Sequence, residues 1–276
     1  MPIIRCLTLL LFLGANSAIA TTVYLQTHLP GAETAHALAV LRDALDAEDY
    51  DLAPSPGQHD FTIDLRASTD PAPEAFSIVA SEKRLSIDGG DKRGLIYGTL
   101  AVAEQLRNGV KLESIQSQRE APAMPFRAIK HNLPWDSYRS SSALDLHYDT
   151  VRDVEYWEAF LNMMAENRFN ALTLWNLHPF PYMIKPKNFP EASPFSDAEL
   201  AQWRELYKAI FAMAKERGID TYLVNWNVLV SKEFAEAHDL EGTNYFPFYK
   251  GSADSRGEAV SYTHLRAHET TASIAY

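Results

Sequence analysis

From Thr22 to Gln26, β-branched and aromatic residues crowd into a run that predicts a short strand. After Pro30-Gly31, Leu38, Leu41 and Leu45 mark one face of a helix. Phe61 to Leu65 alternates, Phe76 to Ala80 is an apolar run, and Arg84 to Ile87 ends at Asp88-Gly89-Gly90. These segments predict two or three strands, the last closed by a turn whose glycines accept positive φ. A helix from Lys92 to Asn108 follows, burying Leu95, Thr99, Val102 and Leu106 and stopping at Asn108-Gly109, as a left-handed cap requires. The order β-α-β-β-α over residues 21–120 predicts a small α+β domain with both helices on one face of its sheet.

A stretch rich in Ser, Gln, Glu and Pro, from about Ser114 to Pro125, reads as a linker. Beyond it the pattern changes. Phe126 to Asn132 reads as a buried strand, and Thr150 is expected to cap a helix with Asp153 at its third position and Val154, Trp157, Leu161 and Met164 as its apolar stripe. Asn170 to Leu174 is the next strand. A loop with Pro179, Pro181, Pro186, Pro190 and Pro194 then leads to Ser196 and Glu199. That pair is a capping box opening a helix with Leu200, Trp203, Tyr207, Ile210 and Ala214 facing inward. Arg217-Gly218 ends the helix, and Thr221 to Val224 is a third strand. A long loop after each strand and a short turn after each helix is the βα pattern of a parallel sheet, whose function lies at the strand C-termini. Residues 126–258 hold roughly three βα units of the eight in a closed barrel. The expected class is therefore α/β: the small α+β domain, then an incomplete (β/α)8 TIM barrel with an unpaired strand edge.

Composition adds limits. The chain has 276 residues, 46% hydrophobic and 22% charged, enough for a sizeable core and about two domains. A net charge of -11 excludes the dense cationic surface that nucleic acid requires. Residues 1–20 read as a secretory signal, with Arg5, an apolar run from Cys6 to Leu13, and Ala18-Ile19-Ala20 as the cleavage site. The run is too short to span a bilayer, so the expectation is a periplasmic or extracellular protein with no membrane span after cleavage. Cys6, the single cysteine, leaves with the signal, which excludes disulfides and thiolate chemistry from the mature chain. Residues 259–276, beginning Ala-Val-Ser-Tyr-Thr-His-Leu-Arg-Ala-His-Glu-Thr, look like the translation of a sequencing adapter. His264, His268 and Glu269 within it are assigned no function.

Each strand of the second half ends in a polar and aromatic cluster: Lys130-His131-Asn132 with Trp135-Asp136, Trp175-Asn176 with His178, and Asn225-Trp226-Asn227. Indole faces and amides suit a sugar, whose C–H faces stack while its hydroxyls need donors and acceptors. Trp175, Asn176 and Trp226 are expected to face a ligand cleft; the alternative is that they pack the barrel top. Asp136, Asp145 and Glu191 are loop carboxylates able to act as acid or base, although sequence spacing does not fix their separation. His131 and His178 read as hydrogen-bonding residues. No Cys or His cluster supports a metal, and no cofactor is expected. Gly94 and Gly98 lack the Gly-Lys-Ser/Thr ending of a phosphate loop and read as small residues permitting close packing.

Lys92 to Leu106, Lys-Arg-Gly-Leu-Ile-Tyr-Gly-Thr-Leu-Ala-Val-Ala-Glu-Gln-Leu, resembles the closing helix of the small domain that precedes the barrel in three groups. These are the β-N-acetylhexosaminidases, the hyaluronidase-type hexosaminidases and the family 67 α-glucuronidases. The segments Phe126 to Lys130 and Asn170 to Phe180 look most like bacterial proteins related to the α-glucuronidases, and they depart from the His-rich, Asp-containing loop of the hexosaminidases. The resemblance covers about residues 21–245. It implies a glycoside hydrolase acting on polysaccharides, with uronic-acid-containing glycans as substrates and the catalytic carboxylates beyond residue 258. The residues it offers for substrate contact are Lys130, Asn132, Trp175, Asn176, Trp226 and Asn227. A β-N-acetylhexosaminidase-like hydrolase and a non-catalytic glycan-binding protein are the alternatives.

Overall fold

The computed structural model describes residues 20–28, 34–134, 146–176, 179–225 and 237–239. The expected signal (but for Ala20), the adapter-like tail, and Trp135, Asp136, Asp145, His178, Trp226 and Asn227 lie outside the described residues.

The first half is a six-stranded sheet: β1 (Thr22–Thr27), β2 (Asp51–Leu52), β3 (Phe61–Ala67), β4 (Phe76–Ser81), β5 (Arg84–Gly89) and β6 (Gln118–Glu120), in the order β2-β1-β3-β5-β4-β6. β1, β2, β3 and β5 run parallel, while β4 pairs antiparallel with β5 and with β6. Alternation puts Val23, Phe61, Ile63, Leu65, Phe76, Ile78, Leu85 and Ile87 on one face, where they are buried under helices α1 (Ala35–Ala47) and α2 (Lys92–Arg107). The opposite face is polar, and on it the carboxylate of Asp64 is buried beneath Arg66, Arg84 and His28.

Three expectations change here. The stretch from Ser114 to Pro125 is not only a linker, because β6 forms in it and extends the sheet. Five strands of this sheet follow the first helix where two or three were expected, because β2 and β6 are too short to show a period. Gly89 and Gly90 do not have positive φ. They are glycine because a Cβ at Gly89 would lie 2.2 Å from Leu95 N and one at Gly90 2.0 Å from Ala72 O. Gly109 does take the left-handed value, φ 79°, and closes α2 as expected.

The second half is a three-stranded parallel sheet, β7 (Ala128–Asn132), β8 (Ala171–Asn176) and β9 (Asp220–Asn225), in that order. Helices α3 (Val154–Glu166) and α4 (Asp197–Glu216) cover one face. Leu172 and Leu174 meet Trp157, Leu161 and Met164 of α3 and Tyr207, Ile210 and Ala214 of α4 there. The capping box of Ser196 and Glu199 is present. At α3 the cap is Asp153, which accepts a hydrogen bond from Glu155 N at 2.9 Å; Thr150 opens a separate 3-10 turn before it, and Val154 is 44% exposed. β7 is not the buried strand expected: it starts at Ala128, and Lys130 and Asn132 are exposed because nothing among the described residues covers the face away from the helices.

The two sheets meet at the N-terminal ends of β7, β8 and β9. Glu74, from the β3–β4 loop, receives Arg127 Nη2 at 2.6 Å, Arg93 Nη1 at 3.0 Å and Asn170 Nδ2 at 3.0 and 3.1 Å. Asn170 also accepts from Arg127 N at 2.8 Å, and Arg93 Nε donates to Gly218 O at 2.6 Å. Burial pushes the Glu74 carboxyl up, but the hydrogen bonds from Arg127, Asn170 and Arg93 outweigh it and hold the group below the usual range.

Candidate functional site

In a parallel βα sheet the strand C-termini carry function, and here they lie at the end opposite the Glu74 junction. Strand alternation and register decide which side chains meet there. Lys130 pairs with Thr173 and Thr173 with Tyr222; Asn132 pairs with Trp175 and Trp175 with Val224. All six share the face turned away from the helices. Lys130, Asn132 and Trp175 are thus brought together at its C-terminal half, with Lys130 Nζ 3.4 Å from the centre of the Trp175 ring.

Asn176 does not share that face. One residue beyond Trp175, it alternates to the helix side with Leu172 and Leu174, where it is 2% exposed and neither amide atom has a hydrogen-bond partner among the described residues. His131 is on the same side. Its Nε2 is 2.9 Å from Tyr156 Oη, its ring packs against Trp157 and Phe160, and burial holds it below the ordinary histidine value, with His147 adding to the effect. It is the hydrogen-bonding residue expected from the sequence. Trp226 and Asn227 lie outside the described residues.

Among the described residues, the open face has no carboxylate at its C-terminal half. Asp220, the acid on that face, sits at the other end, 2.5 Å from Arg93 Nη2. Glu191, in the loop after β8, lies 2.7 Å from Nε2 of His238, which follows β9. A backbone hydrogen bond and the His238 contact hold Glu191 below the usual carboxylate range. His238 stands in a stretch without hydrophobic period, so nothing in the sequence singled it out. Trp175 and Asn176, expected to face one cleft together, are separated because neighbours on a strand point to opposite faces.

No protein-family model matches the chain, and no curated protein does. Solved structures do match. A GH138 enzyme targeting pectin rhamnogalacturonan II is 26% identical with a TM-score of 0.69, over 80% of this chain and 33% of that one. A β-N-acetylhexosaminidase from Bacteroides fragilis NCTC 9343 is 14% identical with a TM-score of 0.49, over 79% and 42%. A GH115 4-O-methyl-α-glucuronidase with specificity for decorated arabinogalactans is 16% identical with a TM-score of 0.46, over 82% and 31%. These neighbours are glycoside hydrolases. The chain spans about a third of the length of the GH138 enzyme it matches.

Proposed function

We propose that the chain is part of an exported glycoside hydrolase that cleaves O-glycosyl bonds in polysaccharides containing uronic acids, α-glucuronidase-like in substrate class. The observation that carries the reading is the meeting of Lys130, Asn132 and Trp175 on the open face at the C-terminal ends of a βα sheet. The likeness to an enzyme targeting a pectic glycan supports it. The described strands are the opening units of a (β/α)8 barrel, and Trp226 and Asn227 are further candidates for substrate contact. The hydrolytic pair, an acid to protonate the leaving oxygen and an opposed carboxylate to activate water or attack, is assigned beyond residue 258.

The test is hydrolysis. The gene is continued with its natural sequence after codon 258, and the product is offered pectin-derived oligosaccharides, aryl α-uronides and aryl N-acetylhexosaminides. Release of sugar from a uronide is the expected result. Cleavage confined to the N-acetylhexosaminides would transfer the reading to the hexosaminidases, and binding without cleavage would make the protein a glycan-binding one. The 276-residue chain itself is expected to show no turnover; glycosidase activity from it would overturn the assignment of the carboxylates.

A further inference from the structure

We propose that Lys130, seated on the indole of Trp175, is the specificity-determining residue of the open-face site and selects a sugar bearing a carboxylate, while Trp175 acts as a positioning residue. The inference rests on the glycoside hydrolase reading above and deepens it.

Three observations combine. Lys130 and Trp175 lie on adjacent strands and on one face, with Asn132 directly beside Trp175 in register. The ammonium is 3.4 Å from the ring centre, so this indole face is taken by a cation and is closed to the C–H face of a sugar. Among the described residues, Lys130 has no carboxylate partner, whereas Arg93 and Arg127 at the other end are each paired with Glu74. An ammonium has three donors, and those turned away from the ring are left for an acceptor in the open space. Held by the indole, the long lysine side chain gives up less freedom when an anion arrives. A carboxylate satisfies this arrangement as a charge-assisted partner, and the exposed amide of Asn132 stands one residue pair away for a neighbouring hydroxyl.

The test uses the 276-residue chain and three ligands of similar shape: a short oligogalacturonate, its neutral methyl ester, and a sulfated oligosaccharide. Binding is followed by calorimetry and by the shift of the indole N–H resonances, with each variant's melting curve confirming that it folds. The wild type is expected to bind the acid about tenfold more tightly than the ester, the size of one charge-assisted hydrogen bond. Lys130→Gln is expected to abolish that difference, bringing the acid down to the affinity of the ester, and Lys130→Arg to retain it. Trp175→Leu is expected to lower the preference for the acid and Trp175→Phe to keep most of it, which a merely structural role for the indole does not predict. Equal binding of acid and ester, an unchanged preference in Lys130→Gln, or a preference for the sulfated ligand would each overturn the inference while leaving a glycan site in place. Binding of none of the three would remove that site and the inference together.

Discussion

A Cβ placed on Gly94 would lie 2.1 Å from the backbone carbonyl of Ala75, and one on Gly98 2.7 Å from Ile87 Cγ2. The first neighbour is backbone and cannot turn aside. Gly94→Ala is therefore expected to destabilise by about 2–3 kcal/mol and lower the melting temperature by several degrees. Gly109→Ala, where only the left-handed φ is at stake, is expected to cost about 1 kcal/mol. Scanning calorimetry ranks the two, and an equal effect would refute the contact argument. The spacing of Gly94 and Gly98 announced the need for small residues, but what approaches them was not legible, because Ala75 belongs to another strand's flank. Asn176 makes the opposite case. A buried amide without partners does nothing for stability, so Asn176→Leu is expected to leave the melting temperature unchanged or raise it. A fall of several degrees would mean that this amide is satisfied in solution.

At the scale of elements, α2 and α4 were legible to within a residue or two because caps and apolar stripes act locally. Ser196 with Glu199, and Leu200 through Ala214, needed no tertiary information. The cap of α3 was misplaced because Thr150 and Asp153 both have capping side chains, and the 3-10 turn between them moves the start of the helix. β6 was hidden because its three residues, Gln118 to Glu120, are polar and gain their pairing only from β4. The junction between the sheets was hidden for another reason. Glu74 meets Arg93, Arg127 and Asn170 across separations of 19, 53 and 96 residues, which no local pattern reports. Glu74→Ala takes the shared carboxylate from two largely buried guanidinium groups and from Asn170, and the expected loss is about 3 kcal/mol in denaturant unfolding. Asp70→Ala, which removes the exposed partner of Arg119, is expected to change stability by less than about 0.5 kcal/mol. Equal effects would show that the Glu74 network is as weak as a surface pair.

The molecule as a whole is expected to lose stability towards acid in two stages. Burial, aided by the charge of Arg217, lowers His36 to about 4, so the folded protein keeps it neutral while the unfolded chain binds a proton near the ordinary value of 6.5. The His36 contribution then declines as pH falls from about 6.5 to about 4 and is level below that. Glu74 has the sign of a depressed carboxylate: its contribution is complete above the unfolded value near 4.5 and disappears as pH falls through the lower folded one. Denaturation midpoints measured across this range in the wild type and in His36→Gln test the first stage, which the substitution should erase. An unchanged profile would assign the decline to other groups.

The fastening of the two sheets at the N-terminal ends of β7, β8 and β9 leaves their far rim, among the described residues, with no share in holding them together. Random libraries confined to that rim should therefore yield a high proportion of soluble, melting-competent proteins, and the same mutational load placed around Glu74 should yield few. Selectivity and endurance occupy separate addresses in this chain, so one can be rewritten while the other is left alone.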